Sequence, residues 1–140
     1  MAEVVDAAGY QALQSREWQV PQGADTVNAL RYGTKTGDDP IVYPNLTAGW
    51  SARAQMRDAV GGEVWVDFSS DAVAGPRIEL AADGYFTVIL PHDVTEDEAW
   101  NSRRSGVYDV ELTDPDDNVI RHTTGRVRVF WDVTRTEVAP

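Results

Sequence analysis

From Thr26 onward, apolar residues recur at every second position, and this period of two is the strongest constraint the sequence places on its fold. In Trp50-Ser51-Ala52-Arg53-Ala54-Gln55-Met56-Arg57, apolar and polar side chains alternate without a break. Trp50, Ala52, Ala54 and Met56 therefore share one face of a half-buried strand. After a turn at Gly61-Gly62, residues 63–68 alternate again with Val64, Val66 and Phe68 inward, so the two segments form a predicted hairpin.

A second hairpin joins residues 77–80 to 85–90 through Ala81-Ala82-Asp83-Gly84. Asp-Gly suits a tight turn because both residues tolerate positive φ. A third joins residues 106–113, with Tyr108, Val110 and Leu112 inward, to residues 118–122 through the acidic turn Asp114-Pro115-Asp116-Asp117. Thr123-Thr124-Gly125 reads as a further turn before a last strand over 126–131, with Val127, Val129 and Trp131 facing the core. Arg126 and Arg128 then lie on the outer face, where cross-strand pairing with Asp109 and Glu111 is expected.

Adding a strand over 26–32 and a shorter candidate over 41–43 brings the total to about eight. Pro91 ends the strand before it, and either Asp93 or Thr95 caps a short helix within 91–100, giving one helical crossover. The predicted fold class is all-β, an antiparallel β-sandwich with that one short crossover; a small barrel is the competing architecture. Residues 1–25 read as an N-terminal arm, with one or two helical turns over 7–14, and a frayed terminus is the plainer reading. The sandwich domain spans 26–135, and 136–140 form a C-terminal tail.

The chain has 140 residues, enough for one domain with a proper core. Its 42% hydrophobic and 25% charged residues match ordinary globular usage, which argues against global disorder. No apolar run approaches the ~20 residues that span a bilayer, so membrane insertion is not expected. The N-terminal residues lack the basic start and apolar stretch of a signal peptide, so synthesis without export is expected. The absence of cysteine excludes disulfides, thiolate metal sites and cysteine nucleophiles together. A net charge of -11 opposes binding to nucleic acid, which requires Lys and Arg to neutralise phosphates.

Motifs of catalysis are sparse. His92 and His122 form no metal-binding pair and read as exposed turn residues. No nucleophile elbow, Walker loop or Gly-x-Gly-x-x-Gly is present, so no catalytic or cofactor-binding residue is assigned. Residues 114–118 resemble a calcium loop only faintly: Val119 and Gly125 stand where an EF-hand needs Gly and Glu, so no metal ligand is assigned. Asp93, Glu96, Asp97 and Glu98 fit capping and solvation better than a glycosidase pair, which needs carboxyls set across a cleft. Two aromatics stand out instead. Trp65 is expected on the outer face beside Glu63 and Asp67, and Phe130 beside Arg126 and Arg128. Large aromatics on a charged face are candidates for a protein interface or a sugar platform.

Four stretches carry a resemblance: Ala52-Arg53-Ala54-Gln55-Met56-Arg57; Asp83-Gly84-Tyr85-Phe86-Thr87-Val88-Ile89-Leu90-Pro91; Gly106-Val107-Tyr108-Asp109-Val110-Glu111-Leu112-Thr113; and residues 125–135, Gly125-Arg126-Val127-Arg128-Val129-Phe130-Trp131-Asp132-Val133-Thr134-Arg135. In order and spacing they resemble a β-sandwich domain family of tailed bacteriophages, found in minor tail proteins and in baseplate or tail-fibre-associated proteins. The chain departs from that pattern at Val110, where Leu is usual, and in its acidic 114–117 turn, where a Gly-containing one is commoner. The resemblance implies a non-enzymatic structural component near the tail tip, baseplate or fibre attachment. It also implies a virion location, other tail proteins as partners, a homo-oligomer in the particle and no cofactor. A receptor- or carbohydrate-binding module is the alternative, with Tyr32, Tyr43 and Trp65 as its platform.

Overall fold

The computed structural model describes residues 13–132. In chain order the strands are β1 (Gln14–Ser15), β2 (Trp18–Pro21), β3 (Thr26–Arg31), β4 (Ser51–Arg57), β5 (Val64–Ser69), β6 (Arg77–Leu80), β7 (Tyr85–Leu90), β8 (Ser105–Thr113) and β9 (Val119–Phe130). They form two sheets that pack face to face. The larger has the order β1-β9-β8-β4-β5, with β2 also paired to β9, and the smaller has the order β3-β7-β6. Two open sheets with separate edges make the fold an all-β sandwich, not a barrel.

The period of two decides which residues meet between the sheets. Phe86, Val88 and Leu90 point inward from β7, and Tyr108, Val110 and Leu112 from β8, all buried. Each fully buried Val, Leu or Phe contributes roughly 1.5–3 kcal/mol of transfer free energy, so the alternating strands account for most of the driving force. The three predicted hairpins are all present as antiparallel pairs. Between β6 and β7, Asp83 (φ 58°) and Gly84 (φ 74°) both take the left-handed conformation that such a turn demands. A side chain at Gly84 would also strike the Tyr32 carbonyl, so glycine is required there twice over.

Two β-bulges break the alternation. On β9, Val110 faces Thr123 while Glu111 faces Arg121, which leaves His122 as the extra residue. His122 and Thr123 are consequently both buried, and the inward set changes from even to odd positions. The phase change explains why a turn was expected at 123–125, whereas β9 runs unbroken through it. His122 is accordingly a core residue, not an exposed turn residue. On β5, Met56 faces Val66 while Arg57 faces Val64, leaving Trp65 as the extra residue. The bulge moves Trp65 off the outer face, and it packs against the core.

Other expectations also change. Residues 14–21, assigned to an arm, form β1 and β2, which add to the larger sheet parallel to β9; Trp18 and Val20 are buried. The domain therefore begins before Thr26. The helical turns expected over 7–14 fall mainly outside the described residues, as does the 136–140 tail. The 41–43 candidate reduces to a single bridge between Thr34 and Val42. Neither Asp93 nor Thr95 caps a helix. One α-turn, α1 (His92–Thr95), follows Pro91, and a 3-10 turn (Glu98–Ser102) is capped by Asp97, whose carboxylate accepts from Ala99 N at 2.9 Å. Thr95 is instead fully buried, with its hydroxyl oxygen accepting from Gly23 N at 2.7 Å.

Candidate functional site

The 3-10 turn sets up the feature with the clearest chemistry. Its Trp100 is buried and meets Trp65 edge-on at 5.6 Å between ring centroids. Gly106 leaves room for this pair, since an added Cβ would lie 2.7 Å from the Trp65 ring. Arg103 follows, with its guanidinium 4.8 Å from the Trp100 centroid and 5.2 Å from that of Trp65.

Strand pairing then brings the start of β8 against the end of β9. Ser105 faces Arg128, and Val129 N donates to the Arg104 carbonyl at 2.8 Å. Arg104 lies over the Trp131 ring at 4.1 Å, Arg128 lies 5.5 Å from the Phe130 centroid, and the Trp131 indole N–H donates to the Arg103 carbonyl at 3.1 Å. The result is a corner in which Phe130 and Trp131 remain 45% and 44% exposed, each beside an arginine. A guanidinium against a ring face gains from the ring quadrupole and keeps in-plane N–H donors available to a carboxylate. Among the described residues, none of Arg103, Arg104, Arg126 and Arg128 forms an ion pair. In a chain with 23 acidic residues against 12 basic ones, these arginines gather cationic groups at one end of the larger sheet.

Of the residues singled out from sequence, the structure brings Phe130 and Arg128 together in this corner. Arg126 lies exposed two positions earlier on β9, opposite Val107, with no ion pair or stacked ring among the described residues. The expected pairing of Arg126 and Arg128 with Asp109 and Glu111 does not occur. Asp109 faces Thr124 and approaches Arg121 at 3.9 Å, and Glu111 faces Arg121. Trp65 is half-buried under Arg103, not displayed beside Glu63 and Asp67. Trp131 is half-exposed beyond the strand end, where an inward side chain was expected. Arg103 and Arg104 were missed from sequence: their place in the corner follows from β9 running unbroken to Phe130 and pairing with the start of β8.

The other candidates are engaged within the fold. His122 Nε2 lies 2.9 Å from the Arg31 carbonyl, which can only accept, so Nε2 carries a proton, and Nδ1 lies 2.6 Å from the Thr123 hydroxyl. Exposed His92 sits 2.9 Å from Asp25 and 3.7 Å from Glu96. The hydrogen bond to Asp25 holds the His92 pKa above its ordinary value, and the same bond holds Asp25 below its own. In the acidic turn, Asp114 accepts from Asp116 N at 2.9 Å and from Asn118 N at 2.8 Å. The Asn118 side-chain amide also donates to it, and this contact is the leading cause of its lowered pKa. Among the described residues no cluster of three His, Asp or Glu is arranged to hold a metal ion.

A cleft of about 360 Å³ separates β1 from β3, lined in part by Arg16, Arg31, Tyr85 and His122. Its arginines bond to backbone, Arg16 to the Ala29 carbonyl at 3.2 Å and Arg31 to the Asp83 carbonyl at 2.9 Å. Arg31 is also stacked between Tyr43 at 3.4 Å and Tyr85 at 4.3 Å. Tyr32 is buried against Trp50 and His122, so Tyr32, Tyr43 and Trp65 do not gather into one platform. No described helix is long and apolar enough to cross a membrane. No protein-family model matches the chain, and comparison with curated proteins gives no match.

Proposed function

We propose that the chain is a non-enzymatic structural component of a bacteriophage tail, placed near the tail tip, baseplate or fibre attachment and acting through protein–protein contacts. The observation that carries this reading is the corner formed by Arg104, Arg128, Phe130 and Trp131. It exposes aromatic surface beside arginines that have no carboxylate partner among the described residues. Aromatic residues and arginine are the types most enriched among residues that dominate binding energy at protein interfaces. The sequence resemblance to tail β-sandwich domains supports the same reading. Its partners are then other tail proteins, arranged by tail symmetry in several copies, and its location is the virion.

Peptide mass spectrometry on purified particles of the phage that encodes the chain tests this. The expected result is the intact chain at a copy number set by the tail's rotational symmetry. Its absence from intact particles would reject the virion role. The receptor- or carbohydrate-binding alternative has one feature in its favour, the half-exposed Tyr85 ring stacked with Arg31 beside the β1–β3 cleft. Selective retention on a glycan array that is abolished by Tyr85→Ala would favour that alternative.

A further inference from the structure

The β8–β9 hairpin carries opposite charge at its two ends. At one end lie Arg104 and Arg128, stacked on exposed Trp131 and Phe130. At the other is the 114–118 turn, where Asp116 and Asp117 are exposed and form no ion pair among the described residues. That turn is a braced one. Asp114 ties together Asp116 N, Asn118 N and the Asn118 side chain, and Asp117 sits at φ 69°. Asp116 and Asp117 are thus held in a fixed arrangement, so docking them would cost little further ordering.

The two ends cannot satisfy each other within one chain. β8 has nine residues, which at the rise of a strand places them roughly 30 Å apart. This is well beyond the Debye length of about 8 Å at physiological salt. Contact-range charge therefore matters more than the net repulsion between two chains of charge -11. Each copy displays an acidic knob and a cationic, aromatic seat on the same hairpin, with no ion pair joining them among the described residues.

We infer that copies of this chain associate head to tail, the acidic turn of one docking on the Arg104–Arg128–Phe130–Trp131 corner of the next. Guanidinium forks take the Asp116 and Asp117 carboxylates, and the two rings cover the turn's Pro115. Such a contact is heterologous, so it adds copies in one direction, giving a ring where the rotation closes and an open filament where it does not. The inference deepens the proposed function and rests on its reading of the corner as a protein contact.

Sedimentation velocity on the full chain at about 0.15 M salt, over a wide concentration range, tests it. Wild type is expected to associate with increasing concentration. R104Q/R128Q and D116N/D117N should each weaken association by roughly tenfold or more while keeping wild-type thermal unfolding. Mixed in equal amounts, the two variants should form a dimer that grows no further, because each contributes one intact end. Wild type that stays monomeric throughout overturns the inference, and so does association untouched by either variant. Loss with the corner variant but not with the turn variant would overturn it too, by assigning the corner to a different surface. The same variants incorporated into particles separate the two proposals: a chain present in virions yet monomeric in isolation would sink only the head-to-tail contact.

Discussion

Tyr108 offers the sharpest test of how the N-terminal strands are held. Its side chain is 3% exposed, and its hydroxyl donates to the Arg16 carbonyl at 2.6 Å while accepting from the Asn28 amide at 3.1 Å. One phenol thus joins β8, β3 and the link between β1 and β2, and burial raises its pKa. Tyr108→Phe keeps the ring and its edge contact with Trp18 at 5.4 Å, so packing is nearly unchanged. The Arg16 carbonyl loses its phenol donor, at a net cost of about 1 kcal/mol. The Asn28 amide is 4% exposed and is left without this partner, which costs about 1–3 kcal/mol. The sum, about 2–4 kcal/mol, should appear in urea unfolding as a lower midpoint at unchanged slope. Asn28→Ala added to the Tyr108→Phe variant should then cost far less than in wild type, with a coupling of at least about 1 kcal/mol. A loss below about 0.5 kcal/mol, or strict additivity in the cycle, would refute the claim that this hydroxyl ties the sheets together.

Three further outcomes are expected. Gly106→Ala drives a methyl group into the Arg57 carbonyl and the Trp65 ring; it should cost about 1–3 kcal/mol and shift tryptophan emission as the Trp65–Trp100 pair separates. The His92–Asp25 contact contributes stability that is fully present between the ordinary values of 3.8 for the carboxyl and 6.5 for the imidazole; it is lost as pH rises through the elevated His92 value or falls through the lowered Asp25 value. An NMR titration of His92 should therefore show a pKa above 6.5 that returns towards it in Asp25→Asn. Asp114→Ala should speed hydrogen exchange at Asp116 and Asn118 while leaving Val110 and Leu112 protected, because the carboxylate braces only its own turn.

Much of this architecture was legible because strand burial follows a local rule. Ala52, Ala54 and Met56, or Phe86, Val88 and Leu90, could be placed from their spacing, and Asp83-Gly84 announced its turn. The rule fails wherever one residue is added to one strand only. Trp65 and His122 are both such residues, and a single-residue slip reverses every face assignment beyond it. Nothing in the local composition marks either bulge. Parallel pairing of Gln14–Ser15 and Trp18–Pro21 with the last strand was equally hidden, since it depends on a partner far away in sequence. The candidate corner was half legible. Phe130 and Arg128 follow from alternation along β9, but Arg103 and Arg104 join them only through the register that sets Ser105 against Arg128.

The placement of β9 between β8 and the two N-terminal strands has a consequence for how the chain reaches this state. Trp18 and Val20 are made well before their sheet partners, Val127 and Val129. On the ribosome, both buried side chains must wait, unpaired, until β9 has emerged. Completion of the large sheet is therefore a late, non-local event, slow by the general dependence of folding rate on sequence separation. Premature termination before β9 would leave the edge of β8 and a loose, tryptophan-bearing N-terminal segment exposed together, which is a combination prone to intermolecular strand exchange.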